Sequence, residues 1–255
     1  MRSKPCIGGD DPQPRPEEYD RLNRRDLARD WVDTDEAQDV LNYGSLVQVW
    51  TWPASAGYVA RFSNFFRVGT FRADGLRIGY IRIPNFSPAS TLAALEEIES
   101  HIQFFNENTD GLVIDVMRNT GGDACYNEEM QRRFIPYTFR GLGRELRANR
   151  RWLNSFSSSY EGAKAANADT WVIQLYEKLL AEMKTAVTEN RARTGPVPIC
   201  SPSLDRTPAS VVYSKPLMVM TDEFSTSAGD GFPAALQDAR RGPIFGMRSN
   251  DAGGT

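Results

Sequence analysis

The sequence predicts an α/β protein whose core is interrupted by a helical insertion. Three features predict it. Short apolar runs alternate with a helical pattern over residues 76–125. The same β-α-β rhythm returns over residues 210–255. Between them, residues 126–209 are dominated by amphipathic helical spacing. Residues 1–75 precede this core as an extended lead-in followed by an aromatic, β-rich region.

Taken in order, residues 1–20 are charged and proline-rich, which disfavours regular structure. The stretch "VQVWTWPASAGYVARFSNFFRVGTF" (47–71) has β character without a clean period. Its aromatic residues Trp50, Trp52, Phe62, Phe65 and Phe66 read as core packing, with a hydrophobic peptide groove as the alternative use. "LRIGYIRI" (76–83) is a strand that Pro84 ends. Leu92, Leu95, Ile98, Ile102 and Phe105 then recur at three and four residues, the stripe of an amphipathic helix with Ser90 or Thr91 at its N-cap. "GLVIDVM" (111–117) is apolar without alternation, as a strand buried on both faces should be.

The insertion follows. "YNEEMQRRF", "GLGRELRANRRWL" and "DTWVIQLYEKLLAEMKTAVTENRARTG" read as helices, the last repeating Trp171, Leu175, Leu179, Met183 and Val187 every four residues up to Gly195-Pro196. The core resumes with the strand "SVVYSKPLMVMTD" over 210–222, a helix over 227–241 and a strand over 242–247. The sequence then stops at "NDAGGT", an odd place for a domain to finish, which points to truncation at the C-terminus.

Composition narrows the function classes. With 40% hydrophobic and 25% charged residues, 255 residues can form one large core or two modest ones. The net charge of -3 gives no electrostatic case for nucleic acid. The segment "RFIPYTFRGLGRELRANRR" (133–151) is basic and aromatic, but the acidic balance elsewhere argues against nucleic-acid binding. No run reaches the 18 or more apolar residues of a membrane span. The N-terminus lacks an apolar signal-peptide core, so secretion or a periplasmic location would require a signal upstream of this sequence. Cys6, Cys125 and Cys200 are too few and too scattered for a disulfide framework or a metal site. No metal or organic cofactor is implied.

Two loops carry the chemistry. "DVMRNTGGD" and "DEFSTSAGDGF" each follow a buried strand, at the carboxyl end where open α/β sheets place their sites. Gly121 and Gly122 allow backbone N–H groups to approach a ligand closely. Ser227 begins a helix, where unpaired N–H groups and the dipole favour an anion. Ser227 Oγ, the Ala228 N–H and a glycine N–H would together satisfy an acyl-transfer enzyme. The plainer reading is that Ser227-Ala-Gly-Asp230 is a helix capping box and "NTGG" an ordinary turn.

The collinear series "GYIRIPNF", helix, "DGLVIDVMRNTGG", insertion and "KPLMVMTDEFSTSAGDGFPAALQDARRGPIFG" resembles the tail-specific, or C-terminal processing, serine peptidases. It is most similar to the branch of tricorn-like proteases and interphotoreceptor retinoid-binding protein modules. The resemblance spans residues 76–255 apart from the insertion. It implies a Clp protease/crotonase-like core of β-β-α units and hydrolysis of protein or peptide substrates. It also implies Ser227 as nucleophile, with an oxyanion hole formed by Ala228 and either Gly121 or Gly122. The lysine that one branch keeps 25 residues after its serine is replaced by Ala252, and Met117 stands where the family has arginine. The only histidine, His101, lies in the 91–107 helix rather than before the core, which makes it a boundary or surface residue. The resemblance therefore implies a general base outside these residues. A non-catalytic module binding peptides or apolar ligands on the same fold is the alternative.

Overall fold

The computed structural model describes residues 42–250. Strands β1 (Val59–Arg61), β2 (Arg67–Ala73) and β3 (Leu76–Arg82) lead to helix α1 (Thr91–Asn108), strand β4 (Gly111–Asp115) and helix α2 (Ala124–Phe134). Two short strands, β5 (Phe139–Arg140) and β6 (Gly143–Arg144), precede helices α3 (Arg150–Ala165) and α4 (Thr170–Thr188). Strands β7 (Val197–Pro198) and β8 (Asp205–Arg206) bring the chain back to β9 (Leu217–Thr221), α5 (Ala228–Asp238) and β10 (Ile244–Gly246). One six-stranded sheet has the order β1-β2-β3-β4-β9-β10. β1, β2 and β3 pair antiparallel, whereas β3, β4, β9 and β10 run parallel.

This register sorts the side chains. Ile81 pairs with Ile114 and Ile114 with Val219, so these residues share a face. That face meets Ile98, Ile102 and Phe105 of α1, Met130 and Phe134 of α2, and Phe232 and Leu236 of α5, in one buried cluster. The expected stripe on α1 meets the core from Leu95 onward, while Leu92 remains 69% exposed. Ser90 caps the helix, its Oγ accepting the Ala93 N–H at 3.3 Å. α4 buries Leu179 and Met183 of its four-residue repeat, leaves Trp171 exposed and ends at Thr188, ahead of Gly195-Pro196.

On the opposite face of the sheet, Tyr80 pairs with Val113 and Arg82 with Asp115. Trp52 stacks on Tyr58 at 4.4 Å between ring centroids, and Trp50 and Trp52 both meet the Tyr80 ring edge-on. These aromatics pack against the sheet, as does the buried Phe66; Phe62 is 83% exposed. Residues 1–41, with the lead-in, and 251–255, with Ala252, lie outside the described residues.

Several features differ from the sequence reading. The segment "GLGRELRANRRWL", expected as a helix, holds strand β6 and turns helical only from Arg150, after the Asn149 cap. Cys125 and Cys200, 75 residues apart, form a disulfide with a Cα–Cα distance of 5.2 Å. Sequence spacing hid it because the insertion returns alongside the first turn of α2. That helix, placed within the insertion from sequence, packs against α5 and α1, with Met130 and Phe134 in the main core. His101 is also not a surface residue: it is 3% exposed. Its Nδ1 accepts from Arg61 Nε at 3.2 Å, and its Nε2 lies 3.7 Å from Glu97 Oε1.

Candidate active site

β4 and β9 are adjacent and parallel, so the loops at their carboxyl ends, residues 116–123 and 222–227, emerge side by side. Several hydrogen bonds lock the loops together. Ser225, fully buried, donates its hydroxyl to the Val116 carbonyl at 2.8 Å. Asp222 Oδ1 accepts the Arg118 N–H at 2.8 Å and the Phe224 N–H at 3.2 Å. Asn119, also fully buried, makes the widest set of contacts. Its Nδ2 donates to the Ile83 carbonyl at 2.8 Å, its Oδ1 accepts the Gly121 N–H at 2.8 Å, and its carbonyl accepts the Thr226 N–H at 3.0 Å. One side chain thus ties the end of β3 to the glycine loop, and its backbone ties that loop to the serine loop.

Below the glycine loop lies a buried ionic group. Asp115 accepts from Arg82 Nη1 at 3.2 Å and from the Tyr80 hydroxyl at 2.5 Å. Burial pushes the Asp115 carboxyl up, and the Arg82 charge opposes this. Arg82 also donates to the Met117 carbonyl at 2.7 Å and, through Nε, to the Ser45 carbonyl at 2.9 Å. A buried ion pair adds little net stability because desolvation consumes much of the Coulombic gain. Its use here is to fix the path of the chain as it leaves β4.

Ser227 itself has φ 55° and ψ -117°, a conformation that costs a non-glycine residue about 1–3 kcal/mol and is held only when its surroundings impose it. The expected capping box does not form. Ser227 makes no side-chain cap bond; its carbonyl instead accepts the Asp230 and Gly231 N–H groups at 3.0 and 2.9 Å. The physical reason is the positive φ, which departs from the extended backbone that turns a capping side chain toward the helix. The Asp230 carboxylate accepts instead from the Ser249 hydroxyl. Ser227 is therefore exposed, and its hydroxyl has no hydrogen bond among the described residues.

Gly121 is buried against this serine. A Cβ built at Gly121 would stand 2.6 Å from Ser227 Cβ, 2.7 Å from the Thr226 carbonyl oxygen and 3.1 Å from the Ala228 nitrogen. Its φ of +77° also suits glycine. Gly122, with φ +139°, is pressed against Phe86 and Ser87, and Phe86 bridges to it as a short continuation of the β3 side. The two glycines differ in one decisive respect. The Gly121 N–H is taken by Asn119, whereas the Gly122 N–H has no hydrogen bond among the described residues, and neither has the Ala228 N–H.

The segment after β10 runs back to this site. Met247 N–H donates to the Thr221 carbonyl at 3.1 Å and Asn250 N–H to the Ser225 carbonyl at 2.9 Å. His101, by contrast, is committed to Arg61 and Glu97 and is not hydrogen-bonded to either loop. Among the described residues no cluster of His, Cys, Asp or Glu could hold a metal ion. The sequence reading missed Asn119, Asp222 and Ser225; the available signal was short polar side chains flanking the two strand ends.

An exposed serine with a positive φ thus stands at the start of a helix, beside two N–H groups that have no hydrogen bond among the described residues, at the carboxyl ends of parallel strands in an α/β sheet. The model of Peptidase family S41 matches residues 77–255, and the chain belongs to that family. It is 28% identical over 207 residues to an uncharacterized protein of Chlamydia muridarum (strain MoPn / Nigg), covering 69% of this chain and 34% of that one. A Chlamydia trachomatis serovar D protein is 27% identical over 208 residues, covering 70% of this chain and 34% of that protein. The chain thus spans about a third of the length of these curated relatives. Among solved structures, mature CPAF complexed with lactacystin aligns with a TM-score of 0.67 and 23% identity over 85% of this chain and 47% of that one. Mature CPAF gives 0.66 and 22% over 90% and 49%. At these identities the likeness shows the fold alone, a mixed α/β core built on parallel strands.

Proposed function

We propose that this chain carries the nucleophile and oxyanion hole of a serine peptidase acting on protein or peptide substrates. Ser227 Oγ attacks the scissile carbonyl carbon and gives its proton to a general base from a segment other than residues 42–250. The carbonyl oxygen becomes an anion held by the Ala228 N–H and by the Gly122 N–H. Collapse of the tetrahedral species expels the amine, which takes up the proton, and leaves an acyl group on Ser227. Water then attacks the ester and frees the acid. Gly121 serves as the contact that lets the two loops close on each other. The observation carrying this reading is the strained φ of Ser227 beside two N–H groups without hydrogen bonds among the described residues. Such donors are worth about 10²–10³ in rate each. No observation favours the non-catalytic alternative.

The test is fluorophosphonate labelling of the full-length gene product, with the adduct located by mass spectrometry, together with hydrolysis of unfolded protein. Labelling is expected at Ser227, with loss of both labelling and hydrolysis in Ser227→Ala. Hydrolysis by Ser227→Ala at the wild-type rate would refute the assignment.

A further inference from the structure

The basic segment singled out in the sequence acquires a place in the fold. After α2 the chain leaves the core as an antiparallel ribbon. β5 pairs with β8 and β6 with β7, Arg147 bridges to Arg193, and the α3–α4 hairpin crowns it. The root of the ribbon stands at the site. Leu142 lies against Gly231 in the first turns of the helix that Ser227 opens, 3.1 Å from where a Cβ would be. The Cys125–Cys200 disulfide ties the segment between β7 and β8 to the first turn of α2, just after the glycine loop.

Charge on the ribbon is one-sided. Residues 139–151 and 191–206 hold eight arginines, no lysine, and only Glu145 and Asp205 as acids, in a chain whose net charge is -3. Arg191, Arg193 and Arg206 are paired with carboxylates. Arg140, Arg144, Arg147, Arg150 and Arg151 are exposed, and their side chains have no hydrogen bond or ion pair among the described residues.

Three of these positions, Arg147, Arg150 and Arg151, are electrostatically unfavourable in the protein alone, whereas Arg140 stands opposite Asp205 across the β5–β8 pair. Arg147 stands opposite Arg193, and like charges across an antiparallel pair repel. Arg150 and Arg151 occupy the first turn of α3, where the helix dipole disfavours cations. An anionic partner relieves both. The use of arginine throughout suits bidentate recognition of carboxylates, as it does of phosphates, and the net charge of -3 argues against a nucleic acid as the anion. Residues 140–147 span roughly 23 Å if extended, the length of about seven residues of extended peptide.

We propose that this arginine-lined ribbon is a docking surface for acidic segments of the protein substrate, gripping the chain away from the bond held at Ser227. The word substrate rests on the peptidase reading; the binding does not. The test therefore measures binding first. Ser227→Ala protein is titrated into fluorescein-labelled twelve-residue peptides rich in Asp and Glu, in Asn and Gln, or in Lys, at 50 and 200 mM NaCl, with anisotropy as readout.

The acidic peptide is expected to bind at least tenfold tighter than the neutral one at low salt, with the preference shrinking at 200 mM NaCl. The preference is expected to vanish in R144E/R147E/R150E/R151E, and to fall in the corresponding Gln variant should charge reversal impair folding by circular dichroism. Equal binding of all three peptides would overturn the proposal. So would an unchanged preference in a folded variant, or tighter binding of a single-stranded oligonucleotide of the same charge. Fluorophosphonate labelling of Ser227 in the ribbon variants is expected at the wild-type rate. If wild type itself is unlabelled while the acidic preference holds, the peptidase reading fails and the docking surface stands.

Discussion

Gly121→Ala is the sharpest test of the site, because Gly75 provides an internal control. Gly75 has φ +80° and open space around a built Cβ, whereas Gly121 has φ +77° and meets Ser227, Thr226 and Ala228. The backbone cost of placing alanine at such a φ is about 1–2 kcal/mol at either position. Only Gly121→Ala adds overlap, and its neighbours are backbone atoms and a Cβ that cannot swing away. Overpacking of this kind costs roughly 1–3 kcal/mol more. At about 2–4 °C per kcal/mol for a chain of this size, Gly75→Ala should lower Tm by a few degrees and Gly121→Ala by about twice as much. The overlap also forces the serine loop from the glycine loop, and misplacement by about 1 Å costs roughly 10²-fold in rate. Thermal melts and fluorophosphonate labelling of the full-length protein read both effects. Equal melting of the two variants, or wild-type labelling by Gly121→Ala, would show that the loops do not make the close contact on which the site is built.

Other expectations follow from the same geometry. Asn119→Ala leaves the buried Ile83 carbonyl without its partner and should cost about 1–3 kcal/mol by urea denaturation, while slowing Ser227 labelling. Reduction of the Cys125–Cys200 disulfide, which closes a 75-residue separation, should lower stability by about 2–5 kcal/mol. Non-reducing peptide mapping should recover the two cysteine peptides linked. Burial holds the His101 pKa below its ordinary 6.5, against the raising effect of Glu97. The unfolded chain therefore takes up this proton first, and stability falls as pH drops below about 6.5, by at most about 1.4 kcal/mol per pH unit. His101→Gln should flatten that part of the profile in urea midpoints taken between pH 7.5 and 5.5.

The parallel strands and both site loops were legible because their signals are local. A five-residue apolar run such as Gly111–Asp115 declares a buried strand, and glycine pairs or Ser-Ala-Gly after such runs declare where the backbone must turn. Local patterning was not sufficient for Ser227-Ala-Gly-Asp230, which matches a capping box in letters. The serine has a positive φ and makes no cap bond, and it packs directly against Gly121.

By itself the sequence determined the α/β rhythm, the two strand-end loops and the serine that stands at one of them, because burial and turn chemistry act over a few neighbouring residues. The tertiary structure decided what depends on atoms distant along the chain. Asn119 bonds Ile83 and Thr226 at once and occupies the Gly121 N–H, which leaves Gly122 as the glycine with a free donor. Cys200 meets Cys125 only because the insertion folds back, and His101 is buried beside Arg61 only because the first hairpin closes over α1. Such contacts are set by the packing of whole elements, and no spacing along the chain encodes them.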